Sequence, residues 1–418
     1  MNVETVKVYQ IGLGDFGRNG FEKLIELQRY FGKVDVQLKG VCDTDFERLE
    51  KAEKFAEAHE FFIETFQDVE EMYEAAEQER GKIMIYDSGP SETHSRHIHR
   101  SLQNGFFPLA EKPPSMSREE HLSEKEMSRE QEIMYMVDFI ERESPVVKKA
   151  QELLEEEEVE RLDIFRQSSI GLQKLMQPVK RAGVKGGAVL DKMIHEAYLF
   201  DLLSTEEIEF QSAGIESFMP KTLGAEKFMS IRGGYTENIG KNTALGDVKA
   251  LFKSGDTDVT LHGSWLGFSE DARKAGKKVR DATEHSVLES GYQTVEGKAF
   301  LDEECRFFTV QGTRSLAGDM LNRKLFDLDT GEEVDTPDLI HDQLHRVIEK
   351  AVLNAAGKRS DGIGQHEVDE FMDSLFMVQE SASGDEFDEL EKSRERLKEM
   401  VVEDRKILER EESDTIAG

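Results

Sequence analysis

Val6-Lys7-Val8-Tyr9-Gln10-Ile11-Gly12-Leu13-Gly14-Asp15-Phe16-Gly17 is the stretch that decides the fold of this chain. Val6 to Ile11 is an apolar run with the length of a buried strand. Beyond the glycines, Phe21, Leu24, Ile25 and Leu27 recur at helical spacing. Between strand and helix stands G-x-G-x-x-G. Gly12 lets the chain turn tightly, Gly14 lets the backbone approach a pyrophosphate, and Gly17 lets helix and strand pack closely. The helix start at Asp15 and Phe16 presents N–H groups and a positive dipole end to an anion. Alone, the motif also fits a glycine-rich turn in an ordinary α/β sheet. Asp43, directly after the second strand Val36 to Cys42, favours a dinucleotide: an acid there accepts hydrogen bonds from an adenosine ribose and repels a ribose phosphate. The nearest basic residue after it is Arg48, so NAD is expected over NADP.

The first 110 residues go on alternating strand-like and helix-like segments, the pattern of a doubly wound parallel sheet. Phe46 to His59 and Ser91 to Gln103 read as helices, with Lys82 to Tyr86 and Phe106 to Ala110 as strands. Ser115 to Glu132 reads as an exposed polar helix, and Ile133 to Ile140 as one more strand before a break at Pro145. From about 160 to 330 the strand candidates lie closer together, among them Ala250 to Lys253, Val259 to Trp265 and Glu304 to Gln311. They lack long crossover helices, so a largely antiparallel sheet is expected. Asp338 to Ala356 and His366 to Ser381 read as helices. After Gly384 dense alternating charge takes over, with Leu390, Leu397, Val401 and Leu408 near heptad spacing. The expected domains are 1–140, 141–384 and a charged helix and tail over 385–418.

The 418 residues carry 87 Asp and Glu against 54 Lys and Arg, a formal net charge of -33. Such a field opposes nucleic acid and anionic lipid, and is compatible with a halophile-like solvated surface. Two cysteines, Cys42 and Cys305, exclude a disulfide framework. No run is long and apolar enough for a membrane span, and the N-terminus lacks a secretory pattern. A soluble cytoplasmic protein is expected.

Phe106 to Ala110 runs into Glu111-Lys112-Pro113-Pro114. Ligands of an open parallel sheet sit beyond the carboxyl ends of its strands, which puts Lys112 where the nicotinamide end of a cofactor belongs. An ammonium there can orient a substrate hydroxyl or stabilise charge as it loses its proton. On position alone, the plainer reading is an exposed lysine at a strand end. Together, Gly12 to Gly17, Asp43, Pro90-Ser91-Glu92-Thr93-His94 and Glu111-Lys112-Pro113 resemble the glucose–fructose oxidoreductase / inositol dehydrogenase / MocA family. The order and separations are those of that family's cofactor domain. Val137-Asp138-Phe139 with Arg142 and Pro145 resembles the strand leading to its second domain.

Asp191 and His195 lie four apart after Gly186 and Gly187, and share a face if the segment is helical. A histidine takes a proton near neutral pH and a carboxylate orients it, which is equipment for alcohol oxidation. By itself the pair is more commonly a surface or capping interaction. The segment also resembles the family's Gly-Gly-x-x-x-Asp-x-x-x-His element, whose acid and histidine share the substrate site with the lysine. The resemblance therefore implies Lys112, Asp191 and His195 as the catalytic group. It implies Gly12, Gly14, Asp15, Phe16, Gly17, Asp43, Pro90, His94, Glu111 and Lys112 as cofactor contacts. Arg142 and Tyr198 are weaker candidates for substrate. Lys192 is an unusual charge inside the element, and Tyr198 stands where many relatives have Asp.

The resemblance implies a Rossmann-like NAD domain and a C-terminal α/β domain with an open sheet that forms dimers or tetramers. The activity it implies is hydride transfer between NAD and a secondary hydroxyl of a sugar, polyol or sugar derivative. A non-catalytic NAD(H)-binding regulator, or a redox-assisted lyase or glycosidase retaining NAD, are the alternatives. No metal is expected. His94, His97 and His99 do not converge on one helix face, and His341-Asp342-Gln343-Leu344-His345 shortens the acid of a zinc motif. Glu155 to Glu158 reads as a solvated run, and Trp265 as core or interface.

Overall fold

The computed structural model describes residues 4–168, 189–203, 208–220, 243–264, 268–295, 298–337, 341–358, 371–373 and 375–378. Gly186, Gly187, Trp265, Leu339 and the charged segment after Gly384 lie outside these residues, as does most of the helix expected over His366 to Ser381. The chain divides into two units, one of residues 1–143 and 338–372, the other of 144–337 and 373–418. The helix after the second sheet therefore returns to the first unit instead of continuing a single 141–384 domain.

In the first unit, six parallel strands take the order β3-β2-β1-β4-β5-β6. They are β1 (Thr5–Ile11), β2 (Asp35–Cys42), β3 (Glu64–Phe66), β4 (Lys82–Asp87), β5 (Phe107–Ala110) and β6 (Met136–Val137). Helices α1 (Asp15–Tyr30), α2 (Phe46–Ala58), α3 (Val69–Gln78), α4 (Ser91–Gln103) and α5 (Arg118–Gln131) connect them. The strand order reverses between β1 and β4, which opens a crevice at their carboxyl ends. A final helix, Gln343–Ala355, starts where the Asp342 side chain accepts from His345 N–H at 2.8 Å. Its Leu344, Val347, Ile348, Ala351 and Val352 join the core of Val6, Val8, Leu24 and Leu27. Lys23 Nζ meets Asp342 at 2.9 Å beside it. An apolar stripe buries wherever the matching stripe waits, and sequence distance does not decide which sheet supplies it.

Two local expectations change. The segment over Ile133 to Ile140 pairs only through Met136 and Val137, which face Leu109 and Ala110. Asp138 N–H still reaches Ala110 O at 2.8 Å, and the chain then enters a 3-10 turn over Ile140–Glu143. Pro145 begins a helix, Pro145–Leu154, where its fixed φ suits the first turn. The polar helix α5 is not wholly exposed: His121, Glu124 and Ser128 are buried. Tyr135 Oη donates to Glu124 Oε2 at 3.3 Å, and His99 Nε2 meets Ser123 Oγ at 2.9 Å.

In the second unit, nine strands among the described residues form a sheet in which one pairing is parallel, Val159–Ser168 with Thr257–Ser264. The other pairings are antiparallel, including Thr257–Ser264 with Thr243–Ser254 and Lys298–Gly312 with Val159–Ser168. The stretch Glu155 to Glu158 is exposed. Phe165 stacks between Phe307 at 4.6 Å and His262 at 4.4 Å. Burial lowers the His262 imidazole to about 4, with Lys249 adding to the effect, so the ring packs as a neutral aromatic.

Ile348→Ala is expected to destabilise the first unit by about 2–5 kcal/mol, read as a lower urea midpoint at unchanged slope. Glu124 supplies a pH test. Burial pushes its carboxyl from 4.5 up to about 8, against the hydrogen bond from Ser95. The unfolded chain loses this proton as pH rises through its ordinary value while the folded chain keeps it, so stability falls between those limits. Glu124→Gln should raise the melting temperature relative to the parent protein more at about pH 8 than at about pH 5.

Candidate dinucleotide site and acid–histidine element

Gly12 holds φ at +85°, and a Cβ added to it would lie 2.5 Å from the Ser88 carbonyl oxygen. Its N–H donates to Cys42 O at 2.8 Å, and Ser88 N–H donates to Ile11 O at 2.8 Å. The ends of β1, β2 and β4 are thereby stitched to one turn. Gly17 packs so closely that its Cβ would sit 2.3 Å from Gly12 O. Two residues absent from the motif complete the turn. Buried Gln10 donates through Nε2 to Gly17 O at 2.7 Å and Gly12 O at 3.1 Å. Ser88 Oγ contacts the carbonyls of Ile11 and Gly12 at 2.9 Å.

Gly14 has nothing within 4 Å of where its Cβ would stand. It is the N-cap of α1 and makes no side-chain cap, with Asp15 and Phe16 exposed in the first turn. An uncapped helix end beside an open glycine fits a dinucleotide pyrophosphate. Asp43 is buried at the end of β2, with Oδ2 accepting from Leu13 N–H at 2.7 Å and Oδ1 from Asp45 N–H at 2.8 Å. It braces the glycine turn from the end of β2. Arg48 Nη1 approaches Asp43 Oδ2 at 3.4 Å, so acid and base occupy one corner.

At the end of β4, Asp87 receives His97 Nδ1 at 2.8 Å and Gly89 N–H at 2.9 Å. Burial alone would raise its carboxyl, but His94, His97 and the Gly89 N–H together hold it below the ordinary value. Pro90 caps α4, and His94 spans two loops, with Nδ1 2.8 Å from Pro113 O and Nε2 3.1 Å from Gly89 O. His99 contacts Ser95 O instead, so the three histidines serve three different structural contacts. The Lys112–Pro113 peptide is cis, and Glu111 N–H donates to Asp87 O at 2.8 Å. Lys112 is partly exposed. The first unit thus gathers Gly12 to Gly17, Asp43, Pro90, His94, Glu111 and Lys112 around the carboxyl ends of its strands. Arg142 lies in the 3-10 turn after β6.

In the second unit, Val189–Met193 forms a π-helical turn that continues into the α-helix Ile194–Leu203. Asp191 and His195 thus lie on one continuous helical segment, and π-turns of this kind occur frequently at functional sites. His195 is buried, Tyr198 fully so, and Lys192 Nζ lies 3.9 Å from Asp191 Oδ2. Glu196 was not singled out by the sequence. It is completely buried, and burial drives its carboxyl well above the ordinary value even with Arg166 and Lys192 nearby.

Fold and glycine turn together define a protein with an NAD(P)-type Rossmann domain followed by an α/β domain. Residues 6–139 match the model of the Gfo/Idh/MocA family, described as an oxidoreductase family with an NAD-binding Rossmann fold. No curated protein matches the chain in sequence. In structure it is similar to UDP-N-acetylglucosamine 3-dehydrogenase GnnA from Acidithiobacillus ferrooxidans, with 18% identity, a TM-score of 0.60, and coverage of 90% of this chain and 98% of that one. The WlbA dehydrogenase from Bordetella pertussis, in complex with NADH and UDP-GlcNAcA, is similar at 14% identity and a TM-score of 0.62, over 91% and 97%. KijD10, a 3-ketoreductase from Actinomadura kijaniata in complex with TDP-benzene and NADP, is similar at 16% and 0.57, over 92% and 98%. At these identities the likeness is one of fold. No helix among the described residues is long and apolar enough to cross a membrane.

The two glycines should separate folding from binding. Gly12→Ala is expected to lower the melting temperature because backbone atoms of Ser88 and Gly89 block its Cβ. Gly14→Ala should leave the melting temperature unchanged and weaken NADH binding by about tenfold or more, measured by fluorescence titration.

Proposed function

We propose that this protein transfers a hydride between NAD and a secondary hydroxyl of a sugar derivative, with a nucleotide-linked sugar as the first class to test. The observation that carries this reading is Lys112, held by Glu111 and Pro113 beyond β5 in the domain that carries the glycine turn. The three relatives named above support the substrate class, since their names or bound molecules are a nucleotide sugar or a thymidine diphosphate compound. A simple sugar or polyol is the broader class.

The bound nicotinamide would accept or donate the hydride. The backbone at Gly12 to Gly17 would hold the pyrophosphate, with Pro90, His94 and Glu111 shaping the nicotinamide end. Lys112 orients the reacting hydroxyl and stabilises charge as its proton leaves. His195 takes that proton as general base, or relays it with Asp191, and Arg142 and Tyr198 are substrate contacts. Asp43 favours NAD through its charge at the ribose. Arg48 at 3.4 Å supports a second reading, in which a ribose phosphate is accepted at this corner. Comparison of NADH with NADPH dissociation constants decides between them. Assembly into dimers or tetramers through the C-terminal sheet and a cytoplasmic location belong to the same proposal.

Lys112→Ala is expected to lower turnover by about 10²-fold or more and leave NADH affinity within about threefold. Reduced-nicotinamide absorbance over a panel of nucleotide sugars, sugars and inositols reads the first, and fluorescence titration the second. Unchanged turnover in the variant rejects the lysine assignment. Substrate turnover without net reduction points to retained NAD, and no turnover of any panel member to a regulator.

A further inference from the structure

Next to Lys112 the first unit sets two carboxyl groups, that of partly buried Glu111 and that of buried Asp138, against one buried hydroxyl. Tyr86 Oη lies 3.5 Å from Glu111 Oε1 and 3.3 Å from Asp138 Oδ2. Tyr86 is fully buried, and Gly20 makes room for it: a Cβ there would stand 2.4 Å from the ring. Both acids are fixed by their backbones, Glu111 N–H to Asp87 O and Asp138 N–H to Ala110 O, each at 2.8 Å. Asp138 is 2% exposed, and its Oδ1 has no hydrogen-bond partner. One phenol supplies one proton, so it cannot serve both adjacent carboxylates if both ionise, and Asp138 Oδ1 has no other donor. The charged groups facing them offset this in part at Glu111 only. Lys112 faces Glu111, while Glu141 of the 3-10 turn and Asp342 at the cap of the last helix both add negative charge toward Asp138. Asp342 is itself engaged by Lys23.

We propose that Glu111 and Asp138 share a proton through the neutral range and act as a positioning pair that presents a single negative charge to Lys112, holding it as an ammonium. The electrostatics agree. Burial, followed by the neighbouring Asp138, drives the Glu111 carboxyl well above its ordinary value, and burial pushes Asp138 to about 7. Such a pair titrates as a unit. It resists a second ionisation, so the charge beside Lys112 stays the same when either acid alone is removed. The proposal rests on Lys112 being the working cation of the site. Its readout is the lysine amine and not turnover, so the pair can fail while the oxidoreductase reading stands.

The test is the pH dependence of Lys112 acylation in the intact protein, followed by mass spectrometry. Glu111→Gln and Asp138→Asn should each leave the midpoint of Lys112 reactivity within a few tenths of a pH unit. The double variant should move it down by about one unit or more, because the last negative charge is gone. Two independent carboxylates would instead give equal downward steps in each single variant, and that result overturns the proposal. If the double variant does not fold, the single variants decide by infrared difference spectra at about pH 8, above the Asp138 value. Each should lose protonated-carboxyl absorbance relative to the parent, and unchanged absorbance in both overturns the proposal.

Discussion

The contact between Gly12 and the Ser88 backbone is the constraint on which the cofactor domain depends. With φ at +85° and no Cβ, Gly12 lets the end of β1 lie against the end of β4, where the strand order reverses. Any side chain at Gly12 would occupy the space of a carbonyl oxygen that cannot move without breaking β4 from β1. Gln10, Ser88 and Asp43 then spend their polar atoms on the same turn, so the crevice is shaped before any ligand arrives. Preorganisation of this kind lowers the entropic cost of holding a flexible dinucleotide.

The net charge of -33 also takes on a different meaning. Formal counting treats every carboxyl as ionised, yet Glu111, Glu124 and Glu196 are pushed upward by burial, Glu124 to about 8. These acids are favoured in their neutral form by the fold, while the anionic field comes from the exposed ones. A helix end without a side-chain cap can still attract an anion locally within that field.

Much of the first unit was legible in sequence because its signals are local. A strand, a glycine turn and an amphipathic helix each follow from residues a few positions apart, so α4 over Ser91 to Gln103 and the strand Lys82 to Asp87 agree with the reading nearly residue for residue. Gln10 and Ser88 carried no pattern, since a buried amide or hydroxyl is recognisable only once its carbonyl partners are in place. Asp138 was read merely as part of a strand. The hydroxyl it shares with Glu111 comes from Tyr86, more than fifty residues earlier, and only strand pairing brings them together.

By itself, the sequence determined the alternating elements, the glycine cradle, the lysine beyond β5 and the acid–histidine spacing, because each depends on short-range geometry. Tertiary structure alone decided that Gln343–Ala355 packs on the first sheet, that Arg48 shares the corner of Asp43, and that two carboxyls meet beneath one tyrosine. Burial and charge partnership are properties of a neighbourhood, and chain folding assembles that neighbourhood from residues that no local pattern connects.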